Sequence, residues 1–495
     1  MIASHDVHRV ALTRRATQDR RVSSGSTVCA MADDGWLQPV LLAGDPVVDL
    51  ADHVRRGGGE AYAQAVRHGP DATIEQITRS GLRGRGGGGF PTGVKWAGIR
   101  DAGEGLRFAV CNGAEGEPGT FKDRALLRHD PYQVLEGLAI AAHAVGAEAA
   151  YIATKESYTI EVERLATAID EMRSAGAFVD VPVELVLGPD EYLFGEEKAL
   201  LEVIEGHEPL PRLLPPYQHG LFATDIQTGW ESVETAPGAT AGANPTLVNN
   251  VETLAHVTHV MRHGADRFRS RGTAASPGTI VATVVGDVVR PLVVEVDLGT
   301  PLSVLIELAG GARPGRTLLA CCSGVANTAI TAEHFDVPVD YESLVAIGSG
   351  IGSAGFVFYD DSACPVEIAR SLSRFLYVES CGQCRSCKFG CGEITRSLER
   401  LNDGEGSDQD IAVIAARLQS VTDQVRCYLA TEEQLLVSSI VESFSDEFAL
   451  HVRGRCSVEP RTIPVPKIVD LADGVVTYDE RHALKQPDWT YADAQ

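Results

Sequence analysis

Apolar positions along the first half of this chain alternate between two periods. The stretch "ATIEQITRSGL" spaces its aliphatic residues as one face of a helix and stops at Gly81. After a glycine-rich segment, "LRFAVCN" is a short continuous apolar run, which reads as a buried strand. The run "PYQVLEGLAIAAHAVGA" then reads as a helix with Pro131 in its first turn. "AAYIAT" is a second strand, "TIEVERLATAIDEMRSAG" a helix ended by Gly176, and "VPVELVLG" a third strand leading into the helix of "PDEYLFGEEKALLEVIEG". Strand and helix in alternation predict an α/β sandwich on a mainly parallel sheet, over residues 51–270.

The texture then changes. Residues 217–244 have no clear period and read as a long surface loop. From about 276, two β-rich runs and a short helix predict a small separate α+β unit over 275–340. Four helical segments follow: "PVEIARSLSRFLYVES", "CGEITRSLERLND", "DIAVIAARLQSVTDQVRCYLA" and "EEQLLVSSIVESF". They predict a bundle over 363–450. Residues 451–495, with Pro460, Pro464, Pro466 and Pro487, read as an extended C-terminal arm.

Charge and composition narrow the function classes. A net charge of −25 excludes nucleic acid and anionic membrane as main partners. The longest apolar stretch, Val134 to Ala153, is interrupted by Glu136, His143 and Glu148, so no direct membrane insertion is expected. Residues 1–50 lack the apolar core of a secretory signal and read as a partly disordered extension of a cytoplasmic protein.

Four stretches carry candidate chemistry. In "GLRGRGGGGFPTGVKW", glycines let backbone N–H groups converge on an anion, while Arg83, Arg85, Lys95 and Phe90 suit a ligand with a phosphate and a flat ring. A flexible linker would look similar. The strand end at Asn112 delivers Glu115 and Glu117 into a loop, where an open α/β sheet binds ligands, although a solvated acidic turn has the same composition. The stretch from Tyr192 through Gly195 to Glu196 and Glu197 lies at another strand exit, where glutamates also serve as ordinary helix-dipole partners. Asn249, Asn250 and Thr253 suit the edge of a heterocycle or a helix cap.

The cysteines are more specific. Cys381, Cys384 and Cys387 at x2 spacing wrap one face of an iron–sulfur cluster, and a structural zinc is the alternative. Cys391 would complete a ferredoxin-type run, but in that pattern the fourth cysteine ligates a second cluster, and no second run exists. Cys427, expected on a later helix of the bundle, can fold back to close the site.

Taken together, "GLRGRGGGGFPTG", "EPGTFKDR", "GEEKALLEVIEG", "PTLVNNVETLA", "GDVVRP", "GSGIGSAG" and "ESCGQC" resemble, in order, the NADH-oxidising flavoprotein subunit of respiratory complex I and its soluble hydrogenase and formate dehydrogenase relatives. The resemblance implies FMN in a Rossmann-like α/β sandwich, a β-grasp domain of the SLBB type, and a four-helix bundle holding one 4Fe–4S cluster. Carried over by motif, Gly84, Arg85, Gly86, Lys95, Asn112, Asn249, Asn250 and Thr253 hold FMN. Phe90, Tyr192, Gly195 and Glu196 line the nicotinamide side, with Glu115, Glu117 and Glu197 at the reacting ring. Cys381, Cys384, Cys387 and Cys427 bind the cluster. The implied partner is a ferredoxin-like or thioredoxin-fold iron–sulfur subunit, within a larger membrane-associated redox complex.

The departures fall on the dinucleotide side. Gly113-Ala114 stands where the family has Ala-Asp, Gly98 stands where it has a phenylalanine, Leu214 replaces a basic residue, and Tyr217 replaces a phenylalanine. NADH is therefore expected to bind more weakly than in relatives. The rival readings are a flavin–cluster relay fed by another donor, such as ferredoxin, and an SLBB scaffold with a zinc-stapled bundle.

Overall fold

The computed structural model of the protein describes residues 39–102, 105–177, 180–224 and 242–492. Most of the expected N-terminal extension and of the loop 218–243 lies outside those residues.

Four parallel strands form the first sheet: β1 (Phe108–Gly113), β2 (Ala149–Lys155), β3 (Val183–Gly188) and β4 (Thr246–Asn250), in the order β3-β2-β1-β4. Successive side chains of β1 point to opposite faces. Phe108 and Val110 join a core with Leu200, Leu201 and Ile204 of the helix Glu197–Ile204. Ala109 and Cys111 join Leu135, Leu138 and Leu254 on the other face. Burial on both faces is why β1 reads as a continuous apolar run rather than an alternating one. The helices Pro131–Val145 and Val251–His263 cover that second face. Asp130 caps the first of them at Gln133 N, and Gly146 ends it at φ 69°. They pack so closely that a Cβ on Gly137 would lie 2.1 Å from the Leu254 carbonyl oxygen.

The second sheet contains β5 (Thr279–Gly286), β6 (Leu292–Asp297), β7 (Leu318–Ser323), β8 (Ile330–Thr331) and β9 (Gly355–Asp360), in the order β6-β5-β9-β7-β8. Its middle strand, β9, lies beyond residue 340, where the small unit was expected to end. Parallel pairing of β9 with β5 inserts the strand between the two hairpins.

The bundle comprises the helices Pro365–Glu379, Arg385–Asn402, Asp408–Leu418 and Leu429–Ser443, followed by the short helix Ser445–His451. Two of them differ from the sequence reading. The second begins at Arg385, so Cys387 and Cys391 lie on it, one turn apart. The third stops at Leu418 instead of running through Cys427. Thr422 and Asp423 accept the backbone N–H groups of Gln424 and Val425, and Gln424 adopts φ 57°; these local turns compete with the helix. Cys427 therefore sits on a loop, not on a helix.

The C-terminal arm is not wholly extended. It forms a hairpin of β10 (Ile468–Ala472) and β11 (Val475–Tyr478), with Asp473 and Gly474 both at positive φ in the turn. It lies along the first unit: Gly119 N donates to Pro466 O, and Arg124 Nη1 to Ile468 O.

Candidate cofactor crevice and cysteine cluster

Strands β2 and β4 flank β1 on opposite sides, so the strand order reverses at β1, and ligands of open α/β sheets lie at such switch points. Asn112 and Asn250 are register partners there, at the carboxyl ends of β1 and β4. Asn112 donates to Gly195 O at 2.7 Å, which draws the Tyr192–Glu197 stretch to the same place. Asn249 accepts the indole N–H of the buried Trp96 at 2.8 Å. Asn250 caps the helix Val251–His263 at Glu252 N and also accepts from Lys122 Nζ at 3.1 Å.

The glycine loop leaves the helix Pro70–Ser80 at Gly81 and is pinched at its neck, where Gly84 N donates to Phe90 O and Thr92 N to Leu82 O. It lies over Asn250: a Cβ on Gly86 would lie 3.1 Å from Asn250 Cβ. A Cβ on Gly88 would meet nothing within 4 Å, so this backbone faces open space. Phe90 is 54% exposed at the end of the loop.

Arg85 departs from the expected arrangement. Its guanidinium is buried and donates to Tyr341 Oη, Pro277 O and Thr279 O, toward the second unit. Its backbone N–H donates to Thr253 Oγ1 at 2.9 Å. Arg83 also turns to the second unit, lying 3.8 Å over the Tyr341 ring and pairing with Glu342. Both arginines thus anchor the loop. Of the basic residues of the glycine stretch, Lys95 turns instead to the crevice, 2.9 Å from Glu197.

The acidic residues fall into different environments. Glu115 is buried and locked by Arg124 Nε at 2.9 Å and Asp123 N at 3.0 Å. Glu117 accepts from Tyr192 Oη at 2.6 Å and from Val325 N at 2.6 Å, and burial raises its pKa. Glu196 caps the helix Glu197–Ile204, and burial pushes it up to about 7.

The thiols of Cys381, Cys384, Cys387 and Cys427 come from two segments of the chain. Cys381 and Cys384 lie on the turn before the helix Arg385–Asn402, Cys387 in its first turn, and Cys427 on the loop before the helix Leu429–Ser443. Burial raises Cys427, and the nearby charges of Glu196, Cys387 and Cys381 raise it further. Burial likewise raises Cys384, together with Asp423, Cys387 and Cys381. Cys391 is fully buried one turn beyond Cys387, hydrogen-bonded to the Cys387 sulfur, and this contact holds Cys387 down at about 7. Lys388 Nζ, bonded to Ser380 O at 2.7 Å, brings positive charge beside the thiols. Cys381 opens on a surface cavity of about 280 Å³ that is also lined by Leu210, Asp488 and Trp489.

The cysteine loop docks on the crevice. Lys198 Nζ, next to Glu197, bonds the Arg426 carbonyl, and Arg426 Nη1 donates to Pro211 O at 2.8 Å. Tyr192 Oη also donates to Glu432 Oε1 of the helix Leu429–Ser443 at 3.0 Å. Sequence reasoning missed Glu432 and Tyr341, because their partners are distant in the chain and no local spacing marks them.

Residues 77–259 match the Nuo51 FMN-binding domain, 281–318 the SLBB domain, and 367–451 the NADH-ubiquinone oxidoreductase-F iron-sulfur binding region. An F-type subunit of the NADH-quinone oxidoreductase of Rhizobium meliloti (strain 1021), the second of that type in the organism, is 36% identical over 434 residues, covering 84% of this chain and 98% of that protein. The NADP-reducing hydrogenase subunit HndC of Solidesulfovibrio fructosivorans is 33% identical, covering 81% of this chain and 80% of its own. A crystal structure of NAD+-reducing [NiFe]-hydrogenase in the H2-reduced state superposes with TM-score 0.71 at 31% identity, covering 84% of this chain and 68% of that one. By this similarity along most of its length, the chain belongs to the family of F-type complex I subunits and related NAD(P)-reducing hydrogenase subunits, and is an oxidoreductase component.

Proposed function

We propose that the protein oxidises NADH at an FMN held in the crevice and passes electrons one at a time through a 4Fe–4S cluster on Cys381, Cys384, Cys387 and Cys427. The observation that carries this reading is the docking of the Cys427 loop on the helix Glu197–Ile204, whose amino end borders the crevice. The residues fit the two groups. Gly86 leaves a bare backbone over Asn250, Gly88 faces open space, and four thiols from two segments form a donor set suited to a cluster. FMN, when bound, supplies the conversion between hydride chemistry and single-electron transfer.

The chain's own residues provide position and charge. Lys95 brings a cation to the crevice, and the asparagines orient polar edges. Glu117 is held by Tyr192 with its carboxyl biased toward the protonated form. Cys391 remains a thiol that hydrogen-bonds the cluster ligand Cys387.

The receiving partner in this reading is a ferredoxin-like or thioredoxin-fold iron–sulfur subunit of a larger redox complex. Among the described residues no helix is long and apolar enough to cross a membrane. A cytoplasmic site, with any membrane association made through partners, follows from that reading.

A second reading, a relay fed by another donor such as ferredoxin, is favoured by Gly98 and Leu214, which leave the adenosine half of NADH without a stacking ring and a cation. Anaerobic stopped-flow mixing of the FMN- and cluster-loaded protein with NADH separates the two. Bleaching of the flavin band at submillimolar NADH is expected. No bleaching at millimolar NADH, with reduction by a ferredoxin instead, selects the second reading.

A further inference from the structure

We propose that Cys364, Glu447, His451 and Cys456 form a second metal site, which takes one Zn²⁺ as a structural ion. The sequence leaves Cys364 and Cys456 solitary, 92 positions apart. The fold brings one ligand atom of each of the four residues within 4.8 Å of all the others. Cys364 Sγ lies 3.2 Å from His451 Nε2, which lies 3.3 Å from Glu447 Oε1. Glu447 and His451 are four residues apart on the helix Ser445–His451, so both face the same side.

The surroundings orient these groups as ligands. His451 Nδ1 is 2.9 Å from the Leu401 carbonyl oxygen. A carbonyl can only accept, so Nδ1 carries a proton, and Nε2 is the nitrogen turned to Cys364 Sγ and Glu447 Oε1, free to offer its lone pair to a metal. This backbone support of the second ring nitrogen is characteristic of metal-bound histidine. Cys364 precedes the helix Pro365–Glu379, and its sulfur receives the backbone N–H groups of Val366 and Glu367, which favours the thiolate. Burial opposes this and pushes the thiol up to about 12. A cation's charge reverses that, since a coordinating thiol is deprotonated outright. Ser457 N donates to Glu447 Oε1 at 2.9 Å and fixes that carboxylate. Cys364, Glu447 and His451 are all buried, at 3%, 9% and 4% exposure.

Donor chemistry selects the ion. Two sulfurs, one imidazole and one carboxylate make a closed set of four protein ligands, which suits Zn²⁺ in a structural role. Mg²⁺ and Ca²⁺ call for oxygen donors. The site is separate from the cysteine cluster, since the 15-residue helix Pro365–Glu379 spans about 22 Å between Cys364 and Cys381.

The position suggests what the ion fastens. Cys364 follows the middle strand of the second sheet, Glu447 and His451 end the bundle, and Cys456 opens the C-terminal arm. Beyond it, Ile463 N donates to Glu367 Oε1, and the arm continues to Gly119 and Arg124 beside the crevice. A bound ion ties the root of that arm to both neighbouring units.

The test is metal analysis of the full chain, purified without added zinc or a histidine tag and loaded with FMN and iron. About one zinc per chain is expected in addition to cluster iron. Its X-ray absorption should report Zn–S distances of about 2.3 Å with lighter N/O donors. In Cys364→Ser/Cys456→Ser the zinc should fall at least about tenfold while iron and FMN stay. If that variant does not fold, alkylation of the wild type replaces it: Cys364 and Cys456 should be protected until a chelator is added, as read by peptide mass spectrometry. The proposal is overturned by a protein that holds no zinc even after dialysis against Zn²⁺. A Cys364–Cys456 disulfide in the native protein, or zinc kept by the double variant and lost with Cys381→Ser, also overturns it.

Discussion

The hydroxyl of Tyr192 lies 2.6 Å from Glu117 Oε2 and joins the crevice to the helical bundle. The same hydroxyl is 3.0 Å from Glu432 Oε1, so one proton serves two buried carboxylates. Burial raises the pKa of both acids, and repulsion from Glu117 raises Glu432 further. Tyr192→Phe removes the one donor that these two buried carboxylates share, a loss of about 1–3 kcal/mol. A lower melting temperature is expected, with Glu432→Gln, which removes the repulsion and keeps an acceptor, closer to wild type. Thermal melts of the three proteins at one pH check this; equal melting of Tyr192→Phe and wild type refutes the shared-proton arrangement.

Gly88 faces open space, so Gly88→Ala should fold normally and obstruct only what lies over the loop. FMN content is expected to drop, with the dissociation constant weakened roughly tenfold, or about 1.4 kcal/mol. Flavin fluorescence after release from the protein measures it. Unchanged FMN affinity would remove the glycine loop from the flavin site.

Cys427→Ser should lose the cluster and Cys391→Ser should keep it, because Cys391 is engaged with Cys387, whereas Cys427 lies close enough to feel the charges of Cys381 and Cys387. Iron per chain and the broad visible absorption report the result. Iron lost from Cys391→Ser and kept in Cys427→Ser would reverse the assignment.

A Cβ on Gly98 would meet nothing within 4 Å, so the helix Thr92–Asp101 has room for a ring there. Gly98→Phe should lower KM for NADH by ~2- to 10-fold, the equivalent of an aromatic contact of about 0.5–1.5 kcal/mol. Steady-state rates over a range of NADH concentrations test it, and an unchanged or raised KM places the adenosine elsewhere.

Far from the crevice, His53 lies 3.1 Å from Asp130 and 3.4 Å from Glu136. Burial opposes its charge, but hydrogen bonds to the two carboxylates prevail and raise it from 6.5 to about 9. A pKa raised in the folded state stabilises fully below 6.5, and the benefit is lost as pH rises through about 9. His53→Gln should therefore melt lower than wild type at pH 6, by on the order of 2–3 kcal/mol in stability, with the gap closing by pH 10. A gap independent of pH would show that packing, not charge, holds His53.

Some of this was legible in the chain because it depends on neighbours within a turn or two. Pro131 and Gly146 bound their helix through fixed backbone preferences, and the two buried faces of β1 made it a continuous apolar run. The spacing of Cys381, Cys384 and Cys387 announced a metal cluster because a single short segment can wrap it. The order of the glycine loop, Asn112, Tyr192 and Asn249 was likewise readable, since each lies at the end of a strand or the start of a helix.

The tertiary structure decided what depends on partners far apart in sequence. Only packing reveals that β9 inserts beside β5, or that the helix before Cys427 stops at Leu418 and frees the Arg426–Cys427 loop to dock on Lys198. Arg85 looked like a phosphate ligand, yet its guanidinium caps carbonyls at Pro277 and Thr279, 192 and 194 positions away. Cys364 and Cys456 meet for the same reason. Periodicity and capping are local energies written in adjacent residues, whereas the direction of a long side chain and the meeting of distant thiols are set by which surfaces must be buried together.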